Sequence, residues 1–319
     1  MWRALRAASL FCLGSICYAL LGILSQLSKS DDGSYAYSLP SVVLLAEFTK
    51  LWISLGFLTV DKGSVTEALS DVTGTSVKSW LVFALPSVLY SLNNNLDMLN
   101  NQHMDPATEQ VLVQAKILTT GVVWWWVFGR EMGVRKWCGL LLLFVGAVSA
   151  GWPQEAPAEG KRMHIDSFGV FLILIYVWVS ASAGVYNEWL YKNFSKDENI
   201  HSCNVRLYII GCAVNLSAHL SREPSVAGLQ SLFTGYNRYC WGLVATYSFM
   251  GLLIAQVMKY LDSIVKLYIS GCSMYVSAAL SWIIFGYLPT TNFVMGMILV
   301  TIAMVIYNLE QLLPKGKKQ

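Results

Sequence analysis

Charge is scarce in this chain. Only 13% of its 319 residues are Asp, Glu, Lys or Arg, against 55% hydrophobic residues, where soluble domains carry about 25% charge. With a mean hydropathy of +0.51, the shortfall argues against an ordinary soluble fold and points to lipid as the solvent. The net charge of +3 is too small for a nucleic-acid binder. The seven cysteines (Cys12, Cys17, Cys138, Cys203, Cys212, Cys240, Cys272) have no C-x-x-C spacing, so no disulfide framework or zinc site is expected. Most sit in apolar runs, as small packed hydrophobes do. The four histidines (His103, His164, His201, His219) are equally dispersed. With no His/Asp, paired-Asp or metal constellation, the sequence predicts neither an enzyme nor a cofactor.

What it has instead is long apolar runs. Crossing a hydrocarbon core about 30 Å thick takes about 20 mostly apolar residues. Such runs recur at roughly 5–27, 38–59, 79–102, 108–128, 135–153, 167–191, 204–221, 240–261, 264–287 and 291–313. The first follows Arg3 and Arg6 but is longer than the apolar part of a signal peptide, so it reads as a retained span. Ten spans put both termini on one side. With that side cytosolic, 14 of the 22 basic residues are cytosolic, 5 lie opposite, and Lys50, Lys116 and Lys266 fall within spans. That excess is what the positive-inside rule asks for.

Phe128-Gly129 is followed by Gly139, and Phe285-Gly286 by Gly296, at the same spacing and an offset of 157 residues. The sequence therefore predicts an all-α membrane protein of ten transmembrane helices in two inverted five-helix repeats. One transporter domain covers 1–319, with repeat halves of about 1–155 and 165–313 and a cytosolic tail at 314–319.

Charges inside membrane spans are costly and mark function by default. Lys116 stands in the fourth span, near Gln110 and Gln114, and Lys266 near the start of the ninth. Shifting Lys116 by the repeat offset gives position 273, two helical turns from Lys266 on nearly the same face. Two ammonium groups suit phosphate or diphosphate; Lys266 is also close enough to its helix end to snorkel. In the third span, Asn93, Asn94, Asn95, Asp97, Asn100 and Asn101 cannot all face lipid. They either meet a nucleobase or sugar hydroxyls or bridge neighbouring helices. Glu47 and Lys50, at i and i+3, read as a mutually neutralised structural pair, and Glu188 as a similar case. Ser180, Ala183 and Gly184 read as small-residue packing.

Glu47-Phe-Thr-Lys50, Pro86-Ser-Val-Leu-Tyr90 with Asn94-Asn95, Asp105 with Gln110 and Gln114-Ala-Lys116-Ile, Gly184-Val-Tyr186-Asn-Glu188, and Val257-Met-Lys259-Tyr with Asp262-Ser-Ile-Val-Lys266 together resemble the nucleotide-sugar transporters. The similarity is greatest to the branch carrying CMP-sialic acid, UDP-galactose and UDP-N-acetylglucosamine. The resemblance implies ten helices in the drug/metabolite transporter fold. It also implies exchange of a cytosolic nucleotide sugar for a lumenal nucleoside monophosphate. It assigns substrate binding to Lys116, Lys266, Asn94, Asn95 and Gln110, and structural polar roles to Glu47, Lys50, Tyr186 and Glu188. Three positions depart from the family pattern. Glu109 replaces an aromatic residue, and Leu253 and Ala255 replace tyrosine and serine, where base and sugar should be read.

The partners that follow are a nucleotide sugar, a nucleoside monophosphate and the lipid bilayer; the reading admits a homodimer without requiring one. Lys315 and Lys317 form Lys-x-Lys-x-x at the C-terminus. In the cytosol this resembles a dilysine signal read by a coat complex, so the expected residence is the Golgi membrane, with early Golgi or endoplasmic reticulum as the variant. The alternatives are a carrier of another small metabolite on the same fold and a non-transporting membrane regulator.

Overall fold

The computed structural model describes residues 2–30, 35–104, 106–129, 131–152, 167–222, 231–286 and 288–312. Among them there is no strand, and the order is α1 (Trp2–Ser28), α2 (Leu39–Lys62), α3 (Val65–Thr73), α4 (Val77–His103), α5 (Pro106–Leu112), α6 (Lys116–Phe128), α7 (Val134–Gly151), α8 (Ser167–Trp189), α9 (Ile200–Arg222), α10 (Arg238–Tyr260), α11 (Ser263–Phe285) and α12 (Thr291–Leu312). Six described helices, α1, α2, α7, α8, α10 and α11, are long and apolar enough to cross a bilayer. A seventh is added if α3 and α4, bent by 87°, count as one span.

The count is lower than the ten expected for local reasons. Asn215, Ser217 and His219 dilute α9, and among the described residues α12 contributes a shorter apolar helix, Thr291–Tyr307. The fourth expected span is divided by a 3₁₀ turn at Val113–Ala115. The separate helix α3 was not anticipated. Its start is nevertheless written in the sequence as Ser64-Val-Thr-Glu67, a capping box. The Ser64 side chain accepts from the Glu67 N–H at 3.1 Å. Gly63, with φ 86°, ends α2 and lets the chain turn. Ala68 and Val72 then bury against Leu58 and Val205.

The chain forms two compact units, each drawn from both halves of the sequence: Met1–Ser91 with Tyr186–Asp262, and Leu92–Val185 with Ser263–Gln319. In the first unit α1 packs on α10, and α2 on α9 and α10. One end is closed by hydroxyl and aromatic contacts. Ser28 bonds the Tyr37 hydroxyl at 2.6 Å and Ser41 that of Tyr236 at 2.8 Å. Burial pushes the Tyr236 phenol up to about 12.

The other end of the first unit is held by charge. Arg206 is fully buried. Its guanidinium donates to the Glu198 carboxylate and the Ser79 hydroxyl and stacks on the Phe83 ring at 4.4 Å. Lys259 donates to the Glu198 carbonyl at 2.7 Å, and Asn199 caps α9 by accepting from the His201 N–H at 2.7 Å. The segment before α9 is thus tied to α4, α9 and α10.

The second unit is built on backbone contact instead. A Cβ on Gly296 of α12 would lie 2.6 Å from the Gly146 carbonyl oxygen and 2.8 Å from the Ala150 nitrogen of α7. Gly139 is also close-packed, though less tightly, with Tyr268 Oη at 3.0 Å and Tyr307 Cβ at 3.1 Å from such an atom. In lipid there is little hydrophobic drive between helices, and small residues that admit close approach supply the packing. Gly184 is different: a Cβ there would meet nothing within 4 Å, so it does not serve the tight packing expected of it. Gly129 and Gly286 cap α6 and α11 with φ 59° and 70°. Their N–H groups donate to Trp125 and Trp282, each at 3.0 Å.

Two stability predictions follow from these contacts. Gly296→Val sets a side chain against backbone that cannot move aside, and should destabilise the protein by about 1–3 kcal/mol. A lower melting temperature in detergent checks this, and an unchanged one contradicts the seam. Glu198→Ala strands a buried guanidinium and should cost about 3 kcal/mol, the low end for a broken buried pair because the Glu198 side chain is 37% exposed. Asp71→Ala, which breaks a half-exposed pair with Lys62, should cost no more than about 1 kcal/mol. Equal losses for the two variants in the same melting assay would contradict the distinction.

Candidate functional site

Pro106 opens α5 at the first helical position, where its missing N–H costs nothing. The helical path then tightens to 3₁₀ geometry at Val113–Ala115, and α6 restarts at Lys116. Lys116 therefore begins a helix instead of lying two turns inside one, as the sequence suggested. In an α-helix, residues two apart point about 160° away from each other; 3₁₀ winding reduces this to about 120°. The tighter turn helps Gln114 and Lys116 to reach the same space. Thr120 secures the restart by donating to the Lys116 carbonyl at 2.6 Å. Thr119 donates to the Val177 carbonyl of α8 at 3.2 Å.

Gln114 and Lys116 line a cavity of about 270 Å³ inside the second unit. Its walls include Leu143 and Ala147 of α7, Ser270, Ser273 and Ser277 of α11, and Phe293 of α12. Lys266 is half-buried in the first turn of α11, and its neighbour Leu267 lines the cavity. Lys266, Ser270, Ser273 and Ser277 share one helix face by their spacing of four, three and four. Sequence reasoning passed over these serines, although that spacing behind an intramembrane lysine was a usable signal.

The amide-rich stretch lies on α4. The side chains of Asn94, Asn95 and Gln110, and those of Asp97 and Asn101, fall outside the described residues. Asn100 is fully buried, and neither its oxygen nor its nitrogen has a hydrogen-bond partner among the described residues. It stands between Leu96 and Met104, which pack with Leu172, Ile173, Tyr176 and Val177 of α8. Among the described residues Asn100 therefore bridges to no neighbouring helix. Glu109 is also buried, on α5.

The remaining sequence candidates belong to the first unit. Lys50 and Glu47 pair at 2.6 Å, as expected, and the Lys50 ammonium lies 4.4 Å from the Tyr208 ring. Two glycines make room for this pair. A Cβ on Gly251 would lie 2.5 Å from Lys50 Cδ, and one on Gly211 2.9 Å from Glu47 Oε2. Glu188 is buried and pairs with Lys192 at 2.7 Å, and the Tyr186 hydroxyl donates to the Val82 carbonyl at 3.2 Å. Leu253 and Ala255 are buried. Ala255 packs with Phe83, Leu190, Tyr191 and Met258, so in this conformation both positions serve the core. An unpaired buried amide costs about 1–3 kcal/mol. Asn100→Leu, of similar volume and apolar like its neighbours, should raise the melting temperature; a fall would show that the amide has a stabilising partner.

The family described as "Nucleotide-sugar transporter" matches residues 3–308. The "Probable UDP-sugar transporter protein SLC35A4" of Danio rerio is 35% identical over 277 residues, covering 85% of this chain and 84% of that protein. The "CMP-sialic acid transporter 1" of Oryza sativa subsp. japonica is 31% identical over 295 residues, covering 90% and 89%. The human "UDP-N-acetylglucosamine transporter" is 29% identical over 293 residues, again covering 90% and 89%. A solved crystal structure, 13% identical, superposes with a TM-score of 0.70 over 97% of this chain and 99% of its own, and so shares the fold. Matched across nearly its whole length, this apolar all-helical chain belongs to the nucleotide-sugar transporter family.

Proposed function

We propose that the protein exchanges a nucleotide sugar, UDP- or CMP-linked, for a nucleoside monophosphate across the Golgi or early secretory membrane. The observation that carries this reading is Lys116 on the wall of a cavity within the second unit. An ammonium group on a cavity wall is a point charge suited to phosphate oxygens, and both halves of the exchange bring a phosphate. Lys266, on the face that continues into the serine-lined wall, adds a second cation for the diphosphate or the departing monophosphate.

Ten spans with both termini cytosolic agree with the 14-to-5 distribution of basic residues. The inverted repeat is supported by the matching left-handed caps at Gly129 and Gly286, each bonded to a tryptophan carbonyl four residues back and offset by 157 residues. In that topology the Lys315 and Lys317 tail faces the cytosol, where a coat complex would read it.

Counterflow in proteoliposomes loaded with UMP or CMP, challenged with a panel of nucleotide sugars, tests the function. Exchange of at least one is expected, and none with any would refute the reading. Lys116→Ala removes a charged hydrogen bond worth about 1.5–3 kcal/mol, so exchange should fall by roughly 10- to 150-fold with the melting temperature retained. Undiminished exchange would remove Lys116 from the site.

A further inference from the structure

The wall of α11 that faces Lys116 carries three hydroxyls, those of Ser270, Ser273 and Ser277. Hydroxyls on membrane helices commonly satisfy themselves by donating to the carbonyl four residues back. Thr49, Thr120, Thr246 and Ser248 all do so, at 2.6–2.8 Å. The side-chain hydroxyls of Ser270 and Ser277, both lining the cavity, make no hydrogen bond among the described residues. Ser273, between them, donates to the Ser270 carbonyl at 2.7 Å. Its hydrogen is thereby committed and its oxygen can only accept. The cavity wall thus offers two hydroxyls able to donate or accept and one that accepts only, over a rise of roughly 10 Å.

We infer that Ser270, Ser273 and Ser277 are specificity-determining residues that bind the ribose hydroxyls of the nucleotide whose phosphate is held at Lys116. A ribose offers adjacent O–H groups that both donate and accept. It can donate to Ser273 and exchange hydrogen bonds in either sense with Ser270 and Ser277. Ribose sits next to the phosphate in both partners of the exchange, so one wall serves both directions. The cavity, at about 270 Å³, is close to the lower end of the roughly 300–1,000 Å³ range of ligand pockets, the scale of a nucleoside monophosphate. The far wall, with Ala147, Ala150 and Gly151, has no polar side chain to compete for those hydroxyls.

This inference rests on the proposed exchange but fails separately from it. The double variant Ser270→Ala/Ser277→Ala, reconstituted as the full chain, is compared with wild type for UMP and CMP and for their 2′- and 3′-deoxy counterparts. Loss of two neutral hydrogen bonds of about 0.5–1.5 kcal/mol each should raise KM for the ribonucleotides about tenfold. The KM of at least one deoxynucleotide, already lacking its partner hydroxyl, should change less. The two single variants should each show part of the effect, and melting curves report whether each folds. An unchanged KM for the ribonucleotides, or an equal rise for ribo- and all deoxynucleotides, overturns the assignment. So does a loss that follows the hydroxyls of the transported sugar instead. Wild-type protein inert to every nucleotide would refute the exchange itself. Lys116→Ala impaired alike with ribo- and deoxynucleotides would leave the exchange standing whatever the serines do.

Discussion

Hydrocarbon offers no hydrogen-bond partner, and every polar group carried across it must find one within the protein. In the first unit the answer is pairing. Within a span Lys50 has Glu47, and at the helix ends Lys192 has Glu188 and the wholly buried Arg206 has Glu198 together with Ser79 and the Phe83 ring. The helices are shaped around these pairs, since Gly211 and Gly251 make way for the carboxylate and the ammonium. Such pairs add little net stability, because desolvation offsets the attraction, but removing one partner is expensive. They fix the arrangement of α2, α4, α9 and α10 more than they strengthen it.

The second unit answers the same constraint differently. Its α7–α12 seam is nearly free of charge and rests on glycine backbones in contact. Besides the amide-rich stretch of α4, the unit carries polar side chains at the division between α5 and α6 and on the facing wall of α11. Lys116, Gln114 and the three serines meet there in one cavity. A charge on a cavity wall, whatever else it touches, is placed where a ligand can meet it.

Much of this was legible in the sequence. Nine of the ten apolar runs coincide with single long helices to within about four residues at either end, because length and hydropathy alone define them. The Glu47–Lys50 pair followed from spacing, whereas the repeated Phe-Gly was read as a repeat and not as the pair of helix caps it also is. The division of the fourth run was not legible, since Val113-Gln-Ala carries no breaker and the tightening depends on what surrounds it. Helix α3 was missed although its capping box was in view, because a nine-residue surface helix leaves little trace in hydropathy. Leu253 and Ala255 were read as contact positions by resemblance, and their burial was not legible, since that of Ala255 depends on packing with residues such as Phe83 and Leu190. The serine wall was overlooked because serine is common in membrane helices, and only the hydrogen bonds distinguish those that satisfy themselves from those that do not.

The account turns on where a nucleotide's phosphate comes to rest. A structure determined with UMP or CMP bound would test it most directly. The account predicts the phosphate within hydrogen-bond reach of Lys116 Nζ, in the cavity bounded by α6, α7, α11 and α12. Phosphate bound in the first unit, or anywhere beyond the reach of Lys116, would contradict it.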